Sequence, residues 1–275
     1  MTSRRGFIKQ AGIVGGMFLL NPEFAFSSNP KNGQIAVVHT HGLFYRLGEK
    51  DLQHEFVKYQ TLIDGIFAED KFVILLNSGN MFQNMPNFNL FAGVPEINWM
   101  NKANFHATSL GHADFGNGVE KLAEVIKHAN FPIINCNYCF KGTALEGKIL
   151  PYTTIKIAGK KIGITGVGQA LHHSLPSKLY QGITFNHPLT QLQAAVQHLK
   201  HTENCDKVIV LSQLNHFVHQ DCMNDSELAN KTSGIDLILG INGSDSSNTT
   251  AFPNHKLAEI ESISSTGFAV QKILL

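Results

Sequence analysis

Five short polar clusters follow apolar stretches of the sequence, and each carries side chains suited to chemistry. Histidines occur in the first and third clusters, and amides or hydroxyls dominate the others: His39-Thr40-His41-Gly42, Ser78-Gly79-Asn80, Gly111-His112-Ala113-Asp114, Ser212-Gln213-Leu214-Asn215 and Gly240-Ile241-Asn242-Gly243-Ser244. Imidazole binds transition metals and transfers protons, whereas a carboxamide offers neutral hydrogen bonds and is a weak metal ligand. If the clusters meet, they predict either a histidine-based metal site or a neutral hydrogen-bonding pocket.

Alternating strands and helices are the elements that must position these clusters. Apolar runs predict strands, and 3.6-residue periodicity between them predicts helices. The strands are expected at 34–38, 72–76, 106–110, 132–135, 208–211, 237–239, 257–263 and 268–274, the helices at 49–67, 94–103, 119–126, 188–199 and 225–232, and a β-hairpin at 152–157 and 161–167. These units predict a layered α/β domain with helices on both faces of a sheet. Ligands collect outside the carboxyl ends of such strands, where the clusters lie.

The order and spacing of the clusters resemble the calcineurin-like metallophosphatases, specifically the N-terminal metal domain of the bacterial 5′-nucleotidases. The likeness covers nearly all of residues 34–275 and includes the Phe131-Pro132 strand start and the Pro151-Tyr152 hairpin. It implies a metallophosphatase-like β-sandwich flanked by helices (α-β-β-α) and a two-metal centre that hydrolyses phosphoesters.

The first half of the family's site carries other residues in this chain. The resemblance places His39 and His41 at an Asp-x-His metal pair, and Asn80 at the aspartate that bridges two metals. It places His112 at a metal-binding Asn and Ala113 at the catalytic His. Of these positions, only His41 keeps the family's residue.

The second half of the site is also substituted. Gln213 takes the place of the histidine in the family's Ser-His motif, and Asn242 and Ser244 take the places of both histidines in its Gly-His-x-His motif. Asp114, two residues beyond His112, is a nearby carboxylate that is either a replacement ligand or a cap of its loop.

These substitutions bear directly on the reaction. Two dications about 3.5–4 Å apart need anionic oxygen around them, and neutral amides do not supply it. Ala113 offers no acid to protonate a leaving group. We therefore expect a protein with a largely lost dinuclear site that acts as a non-catalytic binding or accessory module. The alternative is an active, 5′-nucleotidase-like metal-dependent phosphomonoesterase with a rearranged histidine site.

The surviving imidazoles leave a smaller metal site open. His39, His41 and His112 suit a single Zn²⁺ or other divalent cation with an open fourth position, provided that the end of the first strand curls. The alternative is that these histidines make neutral hydrogen bonds in a polar pocket.

The first residues are typical of an export signal. Paired arginines in Ser3-Arg4-Arg5-Gly6-Phe7-Ile8-Lys9 precede an apolar run over 11–20 and the small-x-small site Ala25-Phe26-Ser27. This order resembles the bacterial twin-arginine signal, so residues 1–27 are predicted to be a signal peptide and the mature protein periplasmic or extracellular. Residues 28–275 are predicted to be a single domain without the family's C-terminal nucleotide-binding domain. That leaves a separately encoded nucleotide-binding domain or another exported protein as the expected partner.

Composition excludes other classes of protein. The 22 Lys and Arg residues balance 21 Asp and Glu to a formal charge of +1, which argues against a nucleic-acid binder. The sequence contains no run of eighteen apolar residues, so no membrane span is predicted. Cys136 and Cys139 form an isolated C-x-x-C, for which buried thiols and a disulfide both stay open.

Overall fold

A computed structural model describes residues 33–41, 52–82, 93–214, 223–240, 260–263 and 270–275 of the chain. The predicted signal peptide and the site positions Asn242 and Ser244 lie outside these residues. Five α-helices are described: α1 (Leu52–Glu69), α2 (Val94–Lys102), α3 (Gly118–Ile126), α4 (Pro188–His201) and α5 (Asp225–Lys231). Each coincides within a few residues with a helix expected from apolar periodicity, so those predictions are confirmed.

Twelve strands are described, and they include every strand expected from the sequence. They are β1 (Ala36–Thr40), β2 (Val73–Asn77), β3 (Ala107–Ser109), β4 (Ile133–Ile134), β5 (Tyr138–Cys139), β6 (Tyr152–Ile157), β7 (Lys160–Gly168), β8 (Thr184–Phe185), β9 (Lys207–Gln213), β10 (Leu237–Leu239), β11 (Ile260–Ile263) and β12 (Val270–Leu274). The hairpin forms as predicted, with Tyr152 opposite Thr165 and Ile157 opposite Lys160. The short β5 and β8 pair with each other and were not expected.

The other strands form two sheets. The first has the order β11-β12-β1-β2-β3-β4, in which β1 to β4 are parallel and β12 runs antiparallel to β1. The second has the order β10-β9-β7-β6, with β7, β9 and β10 parallel. Parallel strands end at one edge of their sheet, so both sheets gather polar loops at their carboxyl edges.

The two sheets pack face to face around an apolar core. Alternate residues of both sheets point inward and are fully or almost fully buried: Ile35, Val37, Ile74, Leu76 and Ala107 from the first, and Ile162, Ile164, Ile209, Leu211 and Leu239 from the second. The opposite residues of β9, including Val208 and Val210, pack in a second core with Leu192 and Leu199 of α4 and Leu228 of α5. The expected α-β-β-α sandwich is therefore confirmed.

One buried ion pair fastens the end of α1 to the first sheet. Lys272 Nζ of β12 lies 2.7 Å from Asp70 Oδ2, and both side chains are almost completely buried. Among the described helices, none combines the length and apolar character that crossing a membrane requires.

Candidate functional site

The site residues lie where β1, β2, β3 and β9 end. His39 and Thr40 close β1, Ser78 follows β2, Gly111 follows Leu110 beyond β3, and Gln213 is the last residue of β9. The first three of these strands belong to the six-stranded sheet and β9 to the four-stranded sheet, so side chains from the two sheets face each other at this edge.

Two glycines bring the loops after β2 and β3 into close contact. Gly79 has a φ of 103°, and a Cβ there would lie 2.5 Å from the backbone nitrogen of Gly111. A Cβ on Gly111 would lie 2.0 Å from Asn80 Oδ1. Asn80 itself takes the left-handed backbone conformation, with a φ of 56°, which asparagine tolerates better than most residues. This close approach places the Asn80 side chain directly over the loop after β3.

A chain of hydrogen bonds runs from that loop across to the second sheet. The backbone N–H of Ala113 donates to Asn80 Oδ1 at 3.1 Å, and Asn80 Nδ2 donates to Gln213 Oε1 at 3.3 Å. Gln213 Nε2 donates to the carbonyl oxygen of Ser78 and lies 3.3 Å from His41 Nδ1. The two amides, at positions where the resemblance expects a bridging carboxylate and a metal-binding histidine, are therefore bonded directly to each other.

His39 is engaged in a second set of hydrogen bonds. Its Nε2 lies 2.5 Å from Ser78 Oγ, and that hydroxyl donates to the carbonyl oxygen of Leu239 at 3.0 Å. His39 and Ser78 are both buried. The sequence placed Ser78 in a polar cluster but gave it no role, and its position between the sheets could not be inferred without the structure.

The other two imidazoles are held in the neutral form. Desolvation and the nearby His112 lower the pKa of His41 to about 3, against a smaller opposing effect of a hydrogen bond with the Gly79 backbone. Desolvation also lowers the pKa of His112. His112 therefore lies close enough to His41 to act on it electrostatically, and neither ring carries charge at neutral pH.

Asp114 caps the loops that shape the site. Its Oδ2 accepts hydrogen bonds from the backbone N–H groups of Asn80 at 2.9 Å and Gly111 at 2.8 Å, and its Oδ1 accepts from Phe82 at 3.4 Å. Burial raises the pKa of this carboxyl to about 7, and the backbone hydrogen bonds act in the opposite direction. Of the two roles left open by the sequence, the loop cap is the one that these contacts support.

A second buried carboxylate near the site was not anticipated. Asp225 begins α5, its Oδ1 lies 2.5 Å from Ser212 Oγ, and a Cβ on Gly240 would lie 1.8 Å from its Oδ2. Burial raises the pKa of Asp225 to about 7. The signal that could have identified it is the Asn224-Asp225 helix start, where Asn224 Oδ1 caps the N–H of Glu227.

The described donor atoms of the site face protein partners. Within the described part of the chain, no group of three or more His, Cys, Asp and Glu side chains could hold a metal ion. His41 Nδ1 and His39 Nε2 already face protein partners, and the amide oxygens of Asn80 and Gln213 accept protein N–H groups. The single-cation site on His39, His41 and His112 stays a prediction for metal analysis to decide.

The described cysteines are not paired with one another. Cys136, Cys139 and Cys205 are free thiols, and burial raises the pKa of Cys136 to about 11. The thiol alternative for the C-x-x-C is therefore the one found.

Comparison with known proteins shows which sequences and folds the chain is similar to. No protein-family model matches the chain. Human 5′-nucleotidase is 31% identical over 184 residues, which cover 66% of this chain and 31% of that protein. The fold matches the 5′-nucleotidase precursor of Thermus thermophilus with a TM-score of 0.64 and 22% identity, over 83% of this chain and 46% of that one. It matches the calcineurin-like phosphoesterase YfkN of Bacillus subtilis with a TM-score of 0.62 and 20% identity, over 75% of this chain and 71% of that one.

The fold is therefore that of the calcineurin-like phosphoesterases. In sequence, the chain is similar to curated 5′-nucleotidases and resembles their N-terminal metallophosphatase domain. It spans about a third of the length of the curated relatives that it matches.

Proposed function

We propose that this protein is a non-catalytic member of its family, in which a neutral hydrogen-bonded network takes the place of the two-metal centre. One observation carries the proposal: Asn80 Nδ2 donates directly to Gln213 Oε1, at the two positions where the resemblance expects a bridging carboxylate and a metal-binding histidine. An ion between these positions would need both oxygens or the charge that neither residue has. The protein then serves as a binding or accessory module.

The missing proton donor supports the same proposal. Ala113 stands at the position of the catalytic acid and contributes only its backbone N–H, which is bonded to Asn80. Asp114, the nearest carboxylate, is buried and committed to backbone N–H groups of its own loops. Without a bridging anion or an acid, both nucleophile generation and leaving-group protonation lose their usual groups.

An activity assay tests this proposal. Purified protein is incubated with p-nitrophenyl phosphate and AMP, with and without Mn²⁺ or Zn²⁺, and we expect no turnover above that of buffer. Metal-stimulated turnover that disappears in the double variant His41→Ala/His112→Ala would establish the phosphomonoesterase alternative instead. The double variant His172→Ala/His201→Ala is the matched control because both of its side chains are exposed and distant in sequence from the site.

The destination of the protein belongs to the same proposal. We propose export through the twin-arginine pathway, on the strength of Arg4 and Arg5 ahead of a short apolar run. The partner of the module is then another exported protein or a separately encoded nucleotide-binding domain. Replacement of both arginines by lysine, with secretion measured by cell fractionation, tests the export step; unchanged secretion would contradict it.

A further inference from the structure

Ser78 joins the carboxyl ends of the two sheets through both its side chain and its backbone. Its hydroxyl contacts His39 of β1 and Leu239 of β10, and its carbonyl oxygen accepts from Gln213 of β9. β1 and β2 belong to the six-stranded sheet, whereas β9 and β10 belong to the four-stranded sheet. Two of the three contacts therefore cross from one sheet to the other.

The positions of the hydrogens follow from the acceptors. A serine hydroxyl has one hydrogen, and the carbonyl of Leu239 can only accept, so Ser78 donates to Leu239 and His39 Nε2 must carry the hydrogen that points at Ser78 Oγ. This assignment is opposite to that of a serine nucleophile, whose hydroxyl donates to the imidazole. The pair of His39 and Ser78 is thus a structural contact.

The amides also have one consistent orientation. The N–H of Ala113 can only donate, so Asn80 presents Oδ1 to it and Nδ2 to Gln213. Gln213 accepts this hydrogen bond through Oε1, so its Nε2 points toward the carbonyl of Ser78 and toward Nδ1 of His41. Within these four contacts, no donor faces a donor and no acceptor faces an acceptor. A buried polar network stabilises a fold under this condition.

We infer that these contacts form a metal-independent clamp, consisting of His39, Ser78, Asn80 and Gln213, which holds the two sheets together at the edge where the family binds its metals. The inference rests on the proposed function, since a clamp of this kind occupies the groups that would bind the metals. It goes further in one respect: the chain reaches and keeps its native fold without any divalent cation. Structural metals contribute folding free energy directly, so their replacement must appear in stability measurements.

Thermal unfolding of the full chain tests the clamp. Protein expressed normally is divided between buffer with EDTA and buffers with Zn²⁺ or Mn²⁺, and the unfolding midpoint is followed by circular dichroism. We expect the same midpoint in all three buffers, because a ligand that binds only the folded state would raise it. A midpoint that EDTA lowers and added metal restores would overturn the inference.

A double-mutant cycle adds a second, independent readout. Asn80→Ala and Gln213→Leu remove the two sides of one inter-sheet contact, Asn80 Nδ2 to Gln213 Oε1. We expect the loss of midpoint in the double variant to be smaller than the sum of the single losses. Asn104→Ala and Gln197→Leu are matched controls at exposed positions, for which the losses should be additive. Additive losses at Asn80 and Gln213 would contradict the clamp, and if a variant does not fold, the EDTA comparison on the unaltered chain decides alone.

The two proposals fail separately. Phosphatase turnover with a midpoint that ignores EDTA would overturn the proposed function and leave the clamp in place. Absence of turnover with a midpoint that falls in EDTA would overturn the clamp and leave the non-catalytic assignment in place.

Discussion

Restoring the family's carboxylate at Asn80 is the sharpest perturbation of this site. In Asn80→Asp, one carboxylate oxygen can still accept from the N–H of Ala113, but the other faces Gln213 Oε1 where Nδ2 used to donate. Rotation of the Gln213 amide does not help, because Oε1 would then face the carbonyl of Ser78. Asp114 adds a second buried carboxylate, bonded to the backbone N–H of the same residue 80.

The size of the effect follows from burial. Asn80 is 3% exposed, so the new carboxylate is both desolvated and unpaired. An uncompensated buried charge costs about 3–5 kcal/mol, against a total stability of about 5–15 kcal/mol for a typical domain. At about 2–4 °C per kcal/mol for a domain of this size, the unfolding midpoint should fall by about 6–20 °C.

The assay is thermal unfolding at neutral pH, with Asn104→Asp as control. Asn104 shares the left-handed conformation, with a φ of 61°, but its side chain is exposed. We expect little change in the control, and we expect the deficit of Asn80→Asp to narrow in acid as the introduced carboxyl is protonated. Equal midpoints for the two variants, or recovery of Asn80→Asp by Mn²⁺ or Zn²⁺, would refute the closed neutral network.

Two further perturbations probe the same edge. The pKa of His41 falls from 6.5 in the unfolded chain to about 3 in the folded one, so protonation of this ring favours the unfolded chain as the pH falls below 6.5. By linkage, His41 lowers the free energy of unfolding by about 2 kcal/mol at pH 5. Denaturant titrations at pH 7.5 and 5 should show a smaller acid loss in His41→Asn, and an identical loss would contradict the depressed pKa. In Gly111→Ala, the new methyl would lie 2.0 Å from Asn80 Oδ1, a collision expected to destabilise by about 1–3 kcal/mol. Gly116→Ala is its control, since Gly116 is exposed at a φ of −55° and its Cβ would approach no atom closer than 3.2 Å; equal stability of both variants would show that the two loops separate easily.

The sequence predicted the scaffold well because its signals are local. The strands β1, β2, β9 and β10 are short apolar runs, and each is followed by a polar cluster. Helical periodicity is clear in α3 and α4. These patterns place the clusters at one edge without any knowledge of the contacts between them. The pair β5 and β8 escaped prediction because two-residue strands carry no periodicity.

The contacts within the site could not be predicted, because they depend on the distance between the sheets. The sequence showed that Asn80 and Gln213 lack the charge for a two-metal centre, but not that they are bonded to each other across 133 positions of the chain. The same holds for Ser78 and Leu239, which are 161 positions apart. Asp225 escaped notice because only the packing of α5 brings its carboxylate to Ser212.

The fixed polarity of the hydrogen-bonded amides has a consequence for substitutions at this site. An aspartate at position 80 alone would set a carboxylate oxygen against Gln213 Oε1. That single change therefore lowers the stability of the fold unless the residue at position 213 changes with it. Selection for a folded protein alone then disfavours a carboxylate at position 80, whatever the chemistry of the site.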